Sequence, residues 1–277
     1  MTIDKIYRNV SSLLKDSVDD EGINASLIIS DVIGIGRNEL VLNNSMEINS
    51  AQVKKIYRLA ALRKKKLPLS WVLKSHNFCG MELLIKNGVF VPRPETEELA
   101  EMVLKQMTEE KISILDFCAG SGAIGLYLAY RNKSASVYAI EKLKNSYSIM
   151  IENKKRFNLN NYFPANSSRI DFFRRKFDIL LSNPPYIPSY MYESLPDDVR
   201  LEPKSALISG DDGLLMIKYI FKNLNKVLKK NGIIFIEIGE YYTEKLIKIL
   251  LSSNLKSFEI LKDFNKKDRF IKAVYNG

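Results

Sequence analysis

Near the middle of the chain lies the segment Ile114-Leu115-Asp116-Phe117-Cys118-Ala119-Gly120-Ser121-Gly122-Ala123-Ile124-Gly125, an apolar run followed by a turn with closely spaced glycines. A short apolar run is typical of a buried strand, and Gly120 and Gly122 allow a tight turn and the close approach of a ligand to the backbone. In open parallel sheets, ligands bind where such a strand turns into its helix. The segment therefore predicts a nucleotide-like ligand at this turn, although a glycine loop that serves only the turn shows the same pattern.

Strand and helix patterns alternate from Ser113 onward. Strands are predicted at 112–117, 135–140, 177–182 and 233–238, and helices at 122–131, 143–157, 213–228 and 244–251. Repeats of this kind build an α/β fold, with a parallel sheet covered by helices on both faces. Residues 258–261 and 270–275 are predicted to close the sheet as a two-stranded edge.

The first third of the chain is predicted to be helical. Apolar residues follow helical spacing from Ile3 to Leu14 and from Ala25 to Ile33. A third helix is predicted to have its N-cap at Ser50 and to end in the basic run 63–66. Apolar runs separated by a glycine turn then predict a β-hairpin. The predicted boundaries are 1–70 for a helical domain, 71–91 for a hairpin linker and 92–277 for the sheet domain.

The composition restricts the chemistry. The 277 residues are 46% hydrophobic and 27% charged, which is typical of a soluble globular protein and excludes disorder. One histidine, His76, cannot form a histidine-based zinc cluster, so no metal is expected; His76 and Cys79 are interpreted as packing or linker residues. The two cysteines provide no disulfide framework, and neither a signal-peptide pattern nor a long apolar span is present, so we expect a cytoplasmic protein without a membrane partner.

The net charge of +10 has two interpretations. The chain has 42 Lys and Arg residues against 32 Asp and Glu residues. In one interpretation, these cations form a basic surface that attracts nucleic acid. The other is a lysine-rich genome composition, with the cations spread over solvated faces. The densest run, Arg63-Lys64-Lys65-Lys66, ends a predicted helix, where cations complement the helix dipole. Charge alone therefore does not decide the function.

An acidic residue strengthens the prediction of a nucleotide-like ligand. Glu141 follows the predicted strand 135–140, about 20 residues after the glycines, where a carboxylate accepts hydrogen bonds from both ribose hydroxyls. A carboxylate that only caps the next helix is the alternative. The glycine turn and Glu141 favour an adenosine-containing ligand but leave NAD and S-adenosylmethionine open.

The segment Ser182-Asn183-Pro184-Pro185-Tyr186, at the end of the apolar strand 177–182, favours methyl transfer. The prolines end the strand and hold the backbone rigid. The Asn183 side-chain oxygen and a neighbouring carbonyl then provide two fixed acceptors, which suit a substrate NH₂ group. Tyr186 is expected to pack on the planar substrate group or near the sulfonium charge. Transfer of a sulfonium methyl needs no histidine base, and an ordinary strand-ending turn is the alternative.

Over nearly its whole length the chain resembles the HemK/PrmC peptide chain release factor glutamine methyltransferases. The resemblance rests on Phe90-Val91-Pro92-Arg93-Pro94-Glu95-Thr96-Glu97, on Leu115-Asp116 through Gly122-Ala123, on Asn183-Pro184-Pro185-Tyr186, and on Asp198-Val199-Arg200-Leu201-Glu202-Pro203, Ala206-Leu207 and Asp212-Gly213-Leu214. The Asn-Pro-Pro-Tyr motif alone is shared with DNA and RNA amino-methyltransferases. The Pro-Arg-Pro-Glu-Thr-Glu segment behind a small helical domain is the specific part.

The resemblance implies a seven-stranded, Rossmann-like methyltransferase domain behind an N-terminal helical substrate-recognition domain. It implies methyl transfer from S-adenosylmethionine, with S-adenosylhomocysteine as product, to the Gln amide in the Gly-Gly-Gln motif of class-1 release factors, without direct need for nucleic acid. The implied catalytic and substrate-binding residues are Asn183, Pro184, Pro185, Tyr186 and, for the substrate, Phe90. The implied cofactor-binding residues are Asp116, Cys118, Ala119, Gly120, Ser121, Gly122, Glu141, Ser167, Ser168 and Asn183.

The chain departs from the family pattern at three places. Cys118 replaces the first glycine of the loop, and we expect its φ to remain negative. Glu141 stands where Asp is commoner, which lengthens the reach by one methylene. Asn166-Ser167-Ser168 replaces an acid that meets the adenine amine, so Asn166 or Ser167 is expected to accept that hydrogen bond more weakly.

Two other functions are alternatives to glutamine methylation. Methylation of an exocyclic amine of DNA or RNA fits the charge, but it requires a flipped base and usually a recognition domain with interleaved aromatic and basic residues. The N-terminal region instead predicts a small helical bundle, and Trp71 is the only tryptophan of the chain. A non-catalytic binding protein that uses the bundle as an adaptor is the alternative from another class.

Overall fold

The computed structural model describes residues 1–107, 111–239 and 243–277, with Thr243 described by its backbone alone. The helices are α1 Ile3–Leu14, α2 Glu21–Ile33, α3 Arg37–Leu42, α4 Ser50–Lys64, α5 Leu69–Leu73, α6 Pro94–Gln106, α7 Ala123–Arg131, α8 Lys144–Arg156, α9 Asp197–Arg200, α10 Lys204–Leu207, α11 Leu215–Lys222, α12 Leu224–Val227 and α13 Thr243–Ser252. A 3₁₀ helix spans Ser189–Ser194. The strands are β1 Ser75–Phe78, β2 Met81–Leu84, β3 Ser113–Phe117, β4 Ser136–Glu141, β5 Tyr162–Asn166, β6 Phe177–Ser182, β7 Leu228–Glu237, β8 Leu255–Lys262 and β9 Asp268–Tyr275.

The chain forms two compact units whose boundaries differ from the predicted ones. One unit contains residues 1–75 and 196–201, and the other contains 76–195 and 202–277. The hairpin is therefore not a separate linker, because Phe78 and Leu83 are buried in the core of the second unit. Segment 196–201 returns to the helical unit through long-range contacts, which local sequence patterns do not reveal.

The helical unit packs α1, α2 and α4 around a core that includes Ile6, Ile28 and Ile56, in agreement with the predicted helices. The N-cap of α4 is Asn49 rather than the predicted Ser50, because the Asn49 side chain accepts a 2.9 Å hydrogen bond from the backbone nitrogen of Gln52. The sequence pattern does not predict the short helices α3 and α5, since they contain too few residues to show a period.

Arg63 departs from the interpretation of solvated cations. Its side chain is buried in the helical unit, where Nε donates to Asn24 Oδ1 at 2.8 Å and Nη1 donates to the Leu67 carbonyl at 2.8 Å. Nη2 donates to Asp198 Oδ2 at 3.3 Å. Arg63 therefore anchors segment 196–201 in this unit, whereas Lys64 and Lys65 are exposed, as that interpretation expects.

The predicted hairpin is present. Strands β1 and β2 pair through a loop in which Cys79 and Gly80 have φ values of 48° and 78°. Positive φ at both loop residues is the geometry of a primed two-residue turn, whose twist matches that of the strands.

The second unit is built on a seven-stranded sheet in the order β5-β4-β3-β6-β7-β9-β8. Strands β3 to β7 are parallel, and β9 pairs antiparallel with both β7 and β8. This confirms the α/β fold and the two-stranded edge, and the structure adds that the edge is antiparallel. The helices cover both faces, with Leu126 of α7 buried on one side and Ile217 of α11 and Leu246 of α13 buried on the other.

The long helix predicted at 213–228 is wrong. Two short helices, α11 and α12, replace it, and the chain already enters β7 at Leu228. Gly213 lies before α11 with φ at +72°, and Asn223 interrupts the pattern by donating its side-chain nitrogen to the Tyr219 carbonyl at 2.7 Å. The apolar periodicity continues through both interruptions, which explains why the sequence indicated one helix.

Strand register sets the position of the site. The carboxyl ends of parallel strands meet at one edge of a sheet. Asp116 of β3 is paired with Leu181 of β6, and Ser182 of β6 with Ile236 of β7. The residues that end or follow these strands therefore share that edge.

Candidate active site

The loop after β3 differs from the prediction at Cys118. Its φ is +64°, not negative. Gly120 and Gly122 also have positive φ, at 57° and 84°, so three of the five residues from 118 to 122 have this conformation. The backbone nitrogen of Ala119 donates to the Ile140 carbonyl at 3.1 Å, which ties the loop to the neighbouring strand β4. That bond accompanies a left-handed conformation of Cys118, which costs a non-glycine residue about 1 to 2 kcal/mol.

Close packing explains two of the glycines. A Cβ on Gly122 would lie 2.7 Å from the Tyr162 hydroxyl, and a Cβ on Gly125 would lie 2.8 Å from Asp116 Oδ2. No side chain fits at either position without displacing a buried group. Packing under the loop thus requires glycine at both positions, and the positive φ of Gly122 is a second reason at that position.

Asp116 is buried beneath the loop. Its Oδ2 accepts a 3.0 Å hydrogen bond from the Gly125 backbone nitrogen, and burial raises its pKa to about 7. Within the described residues, Asp116 Oδ1, Ser121 Oγ and the Tyr162 hydroxyl are buried without a hydrogen-bond partner. Buried polar atoms are nearly always hydrogen-bonded in native proteins. This set therefore fits a polar ligand or water against the loop.

Glu141 ends β4 and holds two loop nitrogens. Its Oε2 accepts from the Gly120 nitrogen at 2.8 Å, and its Oε1 accepts from the Leu143 nitrogen at 2.7 Å. Burial raises the pKa of this carboxyl, while these two donors act in the opposite direction. Each carboxylate oxygen keeps a second lone pair. Glu141 can therefore organise the loop and still accept from two hydroxyl groups.

Residues after β5 lie beside Glu141. The Asn166 side-chain nitrogen donates to the Glu141 carbonyl at 2.7 Å, and the Ser167 backbone nitrogen donates to the same carbonyl at 3.0 Å. Ser167 Oγ already accepts from the Arg169 nitrogen at 3.0 Å, and Ser168 is exposed. The structure thus places Asn166 and Ser167 next to Glu141, the residue predicted to bind the ribose. Their contact with an adenine stays a prediction.

A buried hydrogen-bond chain joins the segment after β6 to two residues that the sequence did not single out. Asn183 Nδ2 donates to Thr96 Oγ1 at 2.9 Å, and Thr96 Oγ1 donates to Glu237 Oε2 at 2.8 Å. The Tyr186 hydroxyl donates to Glu237 Oε1 at 3.2 Å. Thr96 lies in the first turn of α6, and Glu237 is the last residue of β7. Thr96 lies within the Pro-Arg-Pro-Glu-Thr-Glu segment that carries the resemblance, and the sequence signal of Glu237 is an acid at the end of the apolar run 233–237.

Burial determines the pKa values of the groups in this series of hydrogen bonds. Thr96 and Glu237 are 3% and 1% exposed. Burial raises the pKa of Glu237 to about 7, while the Thr96 hydrogen bond and the charge of Arg269 act to lower it. Burial and then the nearby Glu237 charge raise the pKa of Tyr186, so its hydroxyl remains a donor at neutral pH.

Phe90 is held by a neighbouring ion pair. The Arg93 guanidinium lies 5.0 Å from the centre of the Phe90 ring, and Arg93 Nη2 donates to Glu202 Oε1 at 2.8 Å. Glu202 is 3% exposed, so the pair is partly desolvated. Phe90 and Arg93 immediately precede α6, which carries Thr96. The same segment therefore positions both Phe90 and Thr96.

Pro184 and Pro185 are buried, and the backbone after them is packed against Gly213. A Cβ on Gly213 would lie 2.3 Å from the Tyr186 carbonyl oxygen. The Ile187 nitrogen also donates to the Leu207 carbonyl at 2.9 Å. These contacts hold the segment that carries Tyr186.

Comparison with known proteins identifies the family of the chain. Residues 80–193 match the family model of the methyltransferase small domain, and residues 5–73 match that of the PrmC N-terminal domain. A release factor glutamine methyltransferase of Fusobacterium nucleatum is 35% identical over 98% of this chain and 78% of its own length. One of Clostridium botulinum is 34% identical over 98% of both chains. The chain belongs to the release factor glutamine methyltransferase family.

Membership of the release factor glutamine methyltransferase family confirms the predicted resemblance and a methyltransferase activity. Solved structures share the fold: a methyltransferase from Pyrococcus furiosus has a TM-score of 0.54 at 15% identity, covering 83% of this chain and 100% of that one. A T. Thermophilus 16S rRNA N2 G1207 methyltransferase in complex with AdoMet and guanosine has a TM-score of 0.52 at 19% identity, covering 73% and 50%.

His76 and Cys79, which the sequence analysis interprets as packing or linker residues, are half-buried. Burial and then Arg93 lower the pKa of His76 to about 4, and burial with Glu97 and Glu101 raises that of Cys79 to about 12. Over the ranges the structure describes, no group of three His, Cys, Asp or Glu side chains is arranged to hold a metal, and no helix is long and apolar enough to cross a membrane.

Proposed function

We propose that the protein transfers the methyl group of S-adenosylmethionine to the side-chain nitrogen of the glutamine in the Gly-Gly-Gln motif of class-1 release factors. The observation that carries the proposal is the orientation of Asn183. Because its nitrogen donates to Thr96, its Oδ1 remains as the acceptor atom on the other side of the amide. With the Pro184 carbonyl, it provides two acceptors for the two protons of an amide NH₂.

Two fixed acceptors address the difficulty of this reaction. An amide nitrogen is a poor nucleophile, because its lone pair is delocalised into the carbonyl. Accepting both N–H protons increases the electron density on that nitrogen and holds it in one direction, which lowers the barrier through orientation and electrostatics. Tyr186 and Phe90 are proposed to pack on the planar amide and to exclude water from it.

The residues around the β3 loop fit the proposed cofactor. The loop glycines allow close approach, Glu141 retains acceptor capacity for two ribose hydroxyls, and Asp116 and Ser121 carry buried polar atoms free of protein partners among the described residues. When bound, S-adenosylmethionine supplies a methyl group on a sulfonium, and the sulfur keeps the electron pair of the broken S–C bond as the neutral thioether of S-adenosylhomocysteine. The glutamine nitrogen forms the new N–C bond and releases one proton to solvent.

The partner and the domain roles belong to the same proposal. The helical unit is proposed to recognise the release-factor body, without direct need for nucleic acid. A cytoplasmic location follows from that partner. The name of the two relatives, release factor glutamine methyltransferase, supports the release factor as partner.

Incubation of the protein with a folded class-1 release factor and methyl-labelled S-adenosylmethionine tests the proposal. We expect the Gly-Gly-Gln peptide to gain one methyl group, identified by mass spectrometry of the tryptic digest. A release factor with Asn in place of that Gln is the matched control. Absence of label on the folded factor, or equal label on the control, would overturn the proposal, and label on protein-free RNA would favour an exocyclic amine instead.

A further inference from the structure

We propose that Thr96 and Glu237 are positioning residues, which set the side-chain amide of Asn183 in the single orientation that methyl transfer requires. This inference rests on the proposed function and adds two residues that act through Asn183 and Tyr186 rather than on the substrate. The contacts that carry it are the 2.9 Å bond from Asn183 to Thr96 and the 2.8 Å bond from Thr96 to Glu237.

An asparagine amide has two nearly isosteric orientations, which exchange its oxygen and its NH₂ group. Only one of them presents an acceptor to a substrate NH₂. The other presents a donor, which repels the substrate protons. The activity of Asn183 therefore depends on a neighbour that distinguishes nitrogen from oxygen.

A hydroxyl alone cannot make that distinction, because it both donates and accepts. Glu237 removes the ambiguity. The Thr96 proton is directed to Glu237 Oε2, so Thr96 Oγ1 offers only lone pairs to Asn183. A reversed Asn183 amide would place Oδ1 against those lone pairs, in a site where Thr96 is 3% exposed and water cannot relieve the repulsion.

The same carboxyl fixes the aromatic residue of the motif. Glu237 Oε1 accepts from the Tyr186 hydroxyl at 3.2 Å. Both carboxylate oxygens are therefore engaged, Oε2 by Thr96 and Oε1 by Tyr186. Glu237, the last residue of β7, lies beside Asn183, because Ser182, which precedes Asn183, is paired with Ile236, which precedes Glu237. Glu237 thus sets the orientation of the Asn183 amide, through Thr96, and that of the Tyr186 ring.

Protonation of Glu237 is expected to weaken this arrangement, because a proton on one oxygen competes with the donors from Thr96 and Tyr186. The charged groups that influence Glu237 are Arg269 of β9, which favours the carboxylate, and Glu95 of α6, which opposes it. With the pKa of Glu237 raised to about 7 by burial, the carboxylate form increases as pH rises through neutrality. Turnover is therefore expected to increase over the same range.

A buried network that only supports folding would lose activity and thermal stability together, so the test separates the two roles. Thr96→Val removes the hydroxyl at nearly constant volume, and Thr96→Ser retains it. We expect Thr96→Val to lower kcat about tenfold or more, the scale of one lost buried hydrogen bond, with the KM for the release factor and the cofactor Kd within about twofold of wild type. Thr96→Ser should restore most of kcat, and Glu152→Gln, at an exposed ion pair with Lys86, should have no effect.

Two further readouts decide the mechanism. In an Asn183→Ala background, Thr96→Val should cause no additional loss of kcat, because the effect passes through Asn183. Glu237→Gln should abolish the rise of kcat with pH through about 7. Additive losses in the double variant, or a Glu237→Gln profile identical to wild type, would overturn the inference.

A last measurement needs no substrate. The side-chain amide resonances of Asn183, assigned by their loss in Asn183→Ala, should shift in Thr96→Val and remain near their wild-type positions in Thr96→Ser. If release-factor methylation fails while these shifts appear, the proposed function is wrong and the orientation of Asn183 by Thr96 stands. If methylation succeeds and the resonances do not respond to Thr96→Val, the positioning role is wrong.

Discussion

The side-chain nitrogen of Asn183 donates a 2.9 Å hydrogen bond to the hydroxyl of Thr96, which lies 87 positions earlier in the chain. Thr96 belongs to the Pro-Arg-Pro-Glu-Thr-Glu segment, and Asn183 begins Asn-Pro-Pro-Tyr. The two motifs therefore form one site: the first enters α6 beside the sheet edge, and the second leaves β6 at that edge. This contact places the helix-opening segment beside Asn183.

Asn183→Ala should remove most of the turnover and leave cofactor binding intact. Loss of one preorganised polar group at a reacting centre typically costs about 10² to 10³ in kcat. Single-turnover assays and isothermal calorimetry with S-adenosylhomocysteine measure the two effects separately. Asn160→Ala, at an exposed turn of the same unit, is the matched control. Near-normal turnover of Asn183→Ala would rule out its assignment as the acceptor.

Glu141→Gln should weaken cofactor binding more than catalysis. The carboxylate accepts from the Gly120 and Leu143 nitrogens, and an amide of the same shape must turn its NH₂ toward one of these donors. We expect the Kd for S-adenosylhomocysteine to rise about tenfold or more, which corresponds to one lost charge-assisted hydrogen bond. Calorimetry of this variant beside Glu152→Gln gives the comparison. Equal affinities in the two variants would contradict the role of Glu141.

Much of the fold was predictable because it depends on local patterns. Apolar runs placed β3, β4 and β6 within a residue or two, and the rule that ligands bind at the carboxyl ends of strands brought Glu141, Asn183 and the glycine loop together. The two-stranded edge formed by β8 and β9 followed from two short apolar runs at 258–261 and 270–275, whereas its antiparallel direction did not.

The departures share a physical cause, which is contact between distant segments. The positive φ of Cys118 accompanies a bond from the next residue to β4, and the helix predicted at 213–228 begins late because Gly213 packs on the Tyr186 carbonyl. For the same reason, neither Thr96, which lies inside a motif, nor Glu237 is predicted from the sequence as a site residue. The role of each becomes visible only when α6, β6 and β7 are placed side by side.

The two buried acids should make the protein less stable as pH rises toward neutrality. Asp116 and Glu237 have folded-state pKa values of about 7, raised from 3.8 and 4.5 mainly by burial. The folded state then binds more protons than the unfolded state, so their contribution is complete below the unfolded pKa values and is lost as pH rises through about 7. Urea unfolding at about pH 5 and about pH 8 should show a smaller difference in Glu237→Gln than in wild type. An unchanged difference would show that Glu237 has an ordinary pKa.

His76 should titrate in the opposite sense. Burial and the charge of Arg93 lower its pKa from 6.5 to about 4, so its contribution to stability is present above the unfolded pKa and is lost as pH falls from 6.5 through about 4. Because His76 is the only histidine, its imidazole resonances can be followed without assignment ambiguity. The midpoint should lie well below 6.5 in wild type and move upward in Arg93→Ala. A midpoint near the ordinary histidine value would contradict the buried environment.

Gly213→Ala should impair both stability and turnover, and Gly34→Ala separates the two causes. Both glycines have positive φ, +72° and +81°, so alanine costs each about 1 kcal/mol or more of backbone strain. A Cβ at Gly34 meets nothing within 4 Å, whereas at Gly213 it would lie 2.3 Å from the Tyr186 carbonyl oxygen. Gly34→Ala should therefore lower only the free energy of unfolding. Gly213→Ala should lower it further and also reduce kcat, because the Tyr186 backbone must move away from the new methyl group and its hydroxyl then leaves Glu237. Urea unfolding and release-factor methylation, measured on both variants, test this difference, and equal behaviour of the two would show that the contact with Tyr186 does not position the ring.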